Sequence, residues 1–133
     1  MSQAKPLLVK FCKRVLGNGV FIDTYAKRGE CIHKLKGHIK STPCKYSVQI
    51  SANHHIIDEP IGVNLNHSFS PSACIEGNSV IAVHDLKPGD EITFNYNKNE
   101  AVVVSPFDDF EDGAETKIPV VGYKNIQKNE TVK

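Results

Sequence analysis

The chain has no stretch that stays apolar over the roughly 18 residues of a membrane-spanning helix. Met1 to Pro6 lacks the apolar segment of a secretory signal, so a soluble intracellular protein, cytoplasmic or nuclear, is expected. Helical patterning is scarce: no window keeps a 3.6-residue apolar repeat over three turns, which argues against a helical fold. The four cysteines, Cys12, Cys31, Cys44 and Cys74, form no Cys-x-x-C pair and no Cys/His cluster at metal-ligand spacing. Reduced thiols and no bound metal are therefore expected. Internal repeats and low-complexity tracts are absent, as is any basic motif interleaved with aromatics, which leaves direct nucleic-acid binding with little support.

What is present fits one domain. At 133 residues and 40% hydrophobic content, the chain can bury one core and is too short for two. Its apolar runs are short: Leu7 to Phe11, Val20 to Ile22, Tyr46 to Ile50, His55 to Ile57, Ser79 to Val83 and Ile92 to Phe94. Gly, Pro and Asn punctuate them, the pattern of a many-stranded β domain. One helical turn is expected around Ile61 to Asn66. Adjacent His54 and His55 should face opposite sides of their strand and so make no metal pair.

Two turns follow from local chemistry. Glu76 to Ser79 should close a hairpin, because Gly77 and Asn78 tolerate positive φ. Leu86 to Gly89 reads as a type II turn, with Pro88 fixing φ and Gly89 accepting φ > 0. Together they predict one continuous ribbon from Ala73 to Tyr96. Asp108 to Glu115 reads as a solvated acidic loop, Ile118 to Ile126 as a further strand or packed tail, and Gln127 to Lys133 as frayed. Charge is unevenly spread: residues 1–45 hold ten Lys/Arg against two Asp/Glu, and residues 46–133 hold six against thirteen.

Three segments carry chemistry together: Gly17-Asn18-Gly19-Val20-Phe21, then Asn66-His67-Ser68-Phe69-Ser70-Pro71, then Gly89-Asp90-Glu91-Ile92-Thr93-Phe94-Asn95-Tyr96. Singly, a Gly-Asn-Gly is most often a tight turn and an Asn-His pair a packed or capping pair. In this order and spacing they resemble the SET domain, whose pattern reads G-x-G-V-F, N-H-S-C-x-P-N and G-E-E-L-T-F-D-Y. Lys27 to Ile32 and Ala82 to Glu91 extend the resemblance, which covers about residues 5–100. Phe69, Ser72, Ile92 and Asn95 depart from the pattern, and no cysteine cluster follows the tyrosine.

The resemblance implies a mainly β, β-clip-like fold of several short sheets with a pseudoknot-like C-terminal segment. Residues 1–133 form one domain, with residues 101–133 a tail completing or flanking the substrate channel. It also implies methyl transfer from S-adenosyl-L-methionine to the side-chain amine of a lysine in a protein, with S-adenosyl-L-homocysteine as product. That reaction needs a neutral amine in line with the methyl–sulfonium bond and no protein nucleophile, which suits a site of aromatics and amides. Tyr96 is the implied catalytic residue, and Gly17, Asn18, Gly19, Asn66 and His67 the implied cofactor contacts. Phe94, Tyr46, Tyr25 and Phe107 are the candidates for lining the lysine channel, with Phe110 or Tyr123 as other aromatics from the tail. Phe94 favours di- or trimethylation by the same resemblance. Each of these has an ordinary alternative, a strand-end tyrosine or a core phenylalanine among them. A catalytically weak SET-like module that binds cofactor or protein is the competing reading. The acids near Asp108 favour a protein substrate whose lysine sits in a basic, histone-like context. Oligomeric state is left open, with a dimer possible.

Overall fold

The computed structural model describes residues 5–110 and 117–130. Among the described residues there are four small sheets, three of which share one core. Strand β1 (Leu7–Cys12) forms a hairpin with β2 (Gly17–Ile22), pairing from Leu7 opposite Ile22 to Cys12 opposite Gly17. The hairpin turn holds Leu16 at a φ of 54°, an uncommon setting for a branched residue. Strands β3 (Cys31–Lys34), β8 (Ala73–Glu76) and β9 (Ser79–Ala82) form a second sheet in the order β3-β9-β8. Strands β4 (His38–Lys40), β5 (Val48–Ser51) and β6 (His54–Ile57) form a third, in the order β4-β6-β5. In β6, His54 is exposed and His55 buried, as strand alternation requires.

The element that organises the site is β10 (Glu91–Phe94), inserted between β2 and the two-residue strand β7 (Asn66–His67). It runs antiparallel to β2, with Glu91 opposite Phe21, and parallel to β7, with Thr93 opposite Asn66. Val20, Ile22, Ile32, Leu35, Val48 and Ile92 are at most 2% exposed and join these sheets around a single core. At about 1.5–3 kcal/mol for each such side chain, their burial is the principal stabilising term.

Several expectations shift. Gly77 alone of its pair takes positive φ, at 58°. The proline turn lies one residue later than read: Asp90 N–H donates to Lys87 O at 3.1 Å, with Gly89 at a φ of 96°. The ribbon from Ala73 to Tyr96 is not continuous, because after this turn the chain leaves the β8-β9 hairpin and pairs with β2 and β7 instead. Phe107–Phe110 forms β11, paired antiparallel with β12 (Lys117–Val120), so Asp108 and Asp109 lie on a strand. Glu111, Asp112 and Glu115 of the acidic segment lie outside the described residues.

Among the described residues helix is confined to short pieces. The expected turn near residue 61 is a 3-10 turn, Gly62–Asn64; two helices follow, α1 (Tyr96–Asn99) and α2 (Tyr123–Glu130). Both are too short for a three-turn repeat to reveal, and α2 replaces the frayed segment expected up to residue 130. Gly122, at a φ of 94°, fixes where α2 begins, because a Cβ there would lie 2.6 Å from Ala101 O.

Candidate functional site

Tyr96 is the convergence point. Asn95 precedes it as the N-cap of α1, its side chain accepting from Asn97 N–H at 2.9 Å. Asn performs this as well as the Asp of the pattern, without burying a charge. The backbone N–H of Tyr96 donates to His67 Nδ1 at 3.0 Å, and its hydroxyl donates to Leu65 O. Burial raises the phenol's pKa well above its usual value, aided by the negative charge of Glu100 and Glu91, so it stays protonated.

His67 is held as firmly. Because Nδ1 accepts from Tyr96, the ring proton sits on Nε2, which is buried, has no hydrogen-bond partner among the described residues and lies 4.0 Å from Asp109 Oδ2. Burial lowers its pKa to about 4, with Asp109 opposing and Arg14 adding to the fall. The imidazole is therefore neutral near pH 7. It packs edge-on against Phe69 at 4.4 Å, Tyr96 at 5.3 Å and Phe107 at 5.9 Å.

The strand pairing sets the rest. Ser72 bridges to β10 through three hydrogen bonds: its hydroxyl donates to Glu91 O at 2.7 Å and accepts from Thr93 N–H at 3.0 Å, while its own N–H reaches Thr93 Oγ1 at 3.2 Å. Asn66 donates to Asn18 O at 2.9 Å and to Glu91 Oε2 at 2.8 Å; Glu91 Oε1 in turn receives Arg14 Nη2 at 2.9 Å. Upstream, Glu59 shapes the turn that leads into Leu65. Its carboxylate accepts from the N–H groups of Lys36, Ile61 and Gly62 and lies 3.2 Å from His33 Nε2. Burial pushes its pKa up, but these donors outweigh it and leave it below the usual value.

Tyr96 borders two cavities. One, of about 1030 Å³, is lined by Arg14, Asn66, His67, Phe69, Glu91 and Phe107 among others. The other is a slot of about 50 Å³ between Tyr46, Leu65, Phe94, Glu100 and the Val102–Val104 segment. A third groove, of about 410 Å³, joins Gly17, Asn18, Tyr46 and Asn66.

Solved structures share the fold of this chain. A chain of Chaetomium thermophilum Polycomb Repressive Complex 2, in an autoinhibited conformation bound to S-adenosylmethionine, gives a TM-score of 0.61 at 17% identity, over 73% of this chain and 16% of that one. KRYPTONITE, in complex with mCHG DNA and SAH, gives 0.67 at 16% identity, over 87% of this chain and 29% of that one. These neighbours are SET-domain proteins. The chain has the SET-domain fold. A Plasmodium falciparum protein assigned as a histone methyltransferase gives 0.58 at 24% identity, over 71% of this chain and 94% of that one. This chain thus corresponds to a minor part of the first two proteins and to nearly all of the third. No family model and no curated protein sequence matches it.

Within the SET-domain fold, the candidate residues divide. Asn66 and His67 line the large cavity; Gly17 and Asn18 line the groove beside it, and a Cβ on Gly17 would meet nothing within 4 Å. Gly19 lines none of the cavities described here. Its bare Cα instead admits its neighbours, since a Cβ would lie 2.9 Å from Glu91 Oε2 and 3.1 Å from Asn66 Nδ2. Phe94 and Tyr46 line the slot, with the Phe94 and Tyr96 rings 4.8 Å apart.

Two channel candidates lie elsewhere. Tyr25 is 72% exposed and lines none of these cavities, because the bridge from Ala26 to Leu86 holds its backbone at the surface. Phe107 faces the large cavity rather than the slot, since β11 places its ring against His67. Phe110 also borders the large cavity, and the Tyr123 hydroxyl accepts from Gln49 Nε2 at 3.3 Å. Sequence reasoning missed the wall the slot does use, Val102 to Val104, whose apolar run directly after Glu100 was its signal. It also missed Arg14 and Glu91, an ion pair formed by residues 77 positions apart.

Proposed function

We propose that this protein transfers a methyl group from S-adenosyl-L-methionine to the side-chain amine of a lysine in a protein substrate. The observation that carries the reading is Tyr96, a partly buried hydroxyl-bearing residue shared by a ligand-sized cavity and a narrow, largely apolar slot. A lysine stem suits the slot, because Phe94, Leu65 and Val102 to Val104 remove water from it and disfavour the ammonium form.

The larger cavity fits the cofactor's chemistry. Arg14 offers a cation for a carboxylate, Glu91 and Asp109 offer anions for an ammonium, and Phe69 and Phe107 offer faces for a purine. His67 Nε2 is a buried donor with no acceptor among the described residues. When bound, the cofactor supplies an electrophilic methyl on a sulfonium. The chain's own part is to orient the amine, exclude water and hold Tyr96 OH–Leu65 O polar contact where the two cavities meet.

Asp108 and Asp109, with the acids that follow in sequence, favour a lysine flanked by basic residues. Capture of such a peptide should weaken as salt rises.

Isothermal titration with S-adenosylhomocysteine tests the reading. One site per chain is expected, weakened about tenfold or more by Asn66→Ala through loss of a hydrogen-bonded amide. Absence of heat at millimolar ligand would sink the reading. Binding without methyl transfer to any basic peptide would favour the module that binds cofactor but does not catalyse.

A further inference from the structure

The slot beside Tyr96 holds one carboxylate, that of Glu100, among walls that are otherwise mostly aromatic or aliphatic. Glu100 is 6% exposed. Among the described residues both of its donors reach the same oxygen: Gln49 N–H at 2.9 Å and Asn99 Nδ2 at 2.6 Å, each to Oε2. No described donor bonds to Oε1. The charged and titratable groups around it are few. From α1 comes the Tyr96 phenol, and from α2 the Tyr123 hydroxyl, held to Gln49. The approach to β5 brings Cys44 and exposed Lys45, whose ammonium lies 5.3 Å from the Tyr46 ring centroid. From β5 itself, the neighbour is the uncharged Gln49.

We propose that Glu100 receives the ammonium of the incoming lysine and accepts its proton, leaving a neutral amine beside Tyr96. This rests on the lysine-methylation reading and deepens it by naming the group that readies the amine. The step balances: the Nζ–H bond breaks, an O–H bond forms at Oε1, and the N–H electron pair stays on nitrogen. An ammonium and a carboxylate become an amine and a carboxylic acid. In an apolar slot the neutral pair avoids the desolvation of two charges that the ion pair demands. Burial raises the Glu100 carboxyl to about 7, against the pull of its two hydrogen bonds, which suits a group that must both accept and release a proton near neutrality.

The probe is n-butylammonium chloride, a lysine stem without backbone, titrated into the full chain by NMR from pH 5.5 to 8.5. Binding should tighten about fivefold or more as pH rises through 7 in the wild type. Glu100→Gln keeps the acceptor for Gln49 N–H; it should bind the probe about fivefold more weakly at pH 8 and lose the pH dependence. Equal binding by the two proteins, or a pH dependence kept in the variant, overturns the proposal. Should the variant fail to fold, the Glu100 side-chain carboxyl can be followed by ¹³C NMR in the wild type. With the probe bound it should stay protonated above pH 7, where the carboxyl of the free chain ionises, and a carboxyl that ionises at the same pH or lower overturns the proposal equally.

Activity gives an independent arm. With a basic lysine peptide, log kcat/KM of the wild type should fall on the acid side with a midpoint near 7. In Glu100→Gln that limb should vanish, with S-adenosylhomocysteine affinity unchanged. A limb that persists in the variant counts against Glu100. If the probe binds as expected but no peptide is methylated, the ammonium site stands and the methylation reading falls.

Discussion

Two buried glutamates, Glu59 and Glu100, are 4% and 6% exposed, yet they sit in opposite electrostatic situations. Glu59, on the segment leading into Leu65, is surrounded by three backbone donors and an imidazole, and its pKa falls. Glu100, at the slot, has two donors on one oxygen, and its pKa rises to about 7. The difference teaches that burial does not decide what a carboxylate is for; the number of donors aimed at it does. A saturated carboxylate is scaffold, and an under-served one is available for chemistry.

The largest expected effect breaks the chemical side of this contrast and spares the scaffold. Tyr96→Phe should lower kcat by about 100-fold or more while S-adenosylhomocysteine affinity stays within about twofold, as steady-state kinetics and calorimetry can check. Equal loss of both would mean damaged folding. Next, Glu59→Ala should cost about 3 kcal/mol in urea unfolding, because it leaves three backbone N–H groups without their acceptor. Glu100→Gln should cost less than about 1 kcal/mol in the same measurement near pH 7, since only one of its groups is replaced and an acceptor remains.

A pH series sharpens the comparison further. The raised pKa of Glu100 means that between pH 4.5 and about 7 the folded chain keeps a proton the unfolded chain has released, so this contribution to stability falls as pH rises. His67 works in reverse: with its pKa lowered to about 4, the folded chain lacks a proton the unfolded chain holds between pH 4 and 6.5, and stability falls as pH drops. The two oppose each other over pH 4.5–6.5. Unfolding free energies from urea titration should be nearly flat there in the wild type, decline on acidification in Glu100→Gln by at most about 3 kcal/mol, and rise on acidification in His67→Asn. Parallel curves for all three proteins would refute the assignment. The smallest effect is Phe94→Tyr, which adds a hydroxyl to the slot and should shift the product ladder toward monomethyl-lysine by mass spectrometry, with kcat for the first methyl changed less than about fivefold. An unchanged ladder would leave Phe94 as packing.

Much of the strand content was legible because short β-branched runs between Gly, Pro and Asn have few other ways to fold. The three motif segments meet where their order implied. What could not be read was anything set by partners distant in sequence. Asn66 is as plain as any loop amide until Glu91 and Asn18 close on it. Tyr25 looked like a channel aromatic because nothing local says that Ala26 bridges Leu86. The exit of β10 from its apparent ribbon was hidden for the same reason, since turn chemistry fixes a bend and not the strand that lies beyond it. Glu100 stood in plain sight as an acid after a short polar run, and only packing shows it to be desolvated.

The insertion of β10 between β2 and β7 also dates the site within the life of the molecule. During synthesis the β1-β2 hairpin, whose partners are close in sequence, can form as soon as it leaves the ribosome. Asn66 and His67 must wait for residues 91–96 before they gain a parallel neighbour or a Tyr96 N–H to hold. Until then the growing chain carries exposed strand edges and no pocket, the state in which a chaperone is most needed. A chain halted before Glu91 would be no weaker version of the finished protein; it would lack the strand on which both cavities are built.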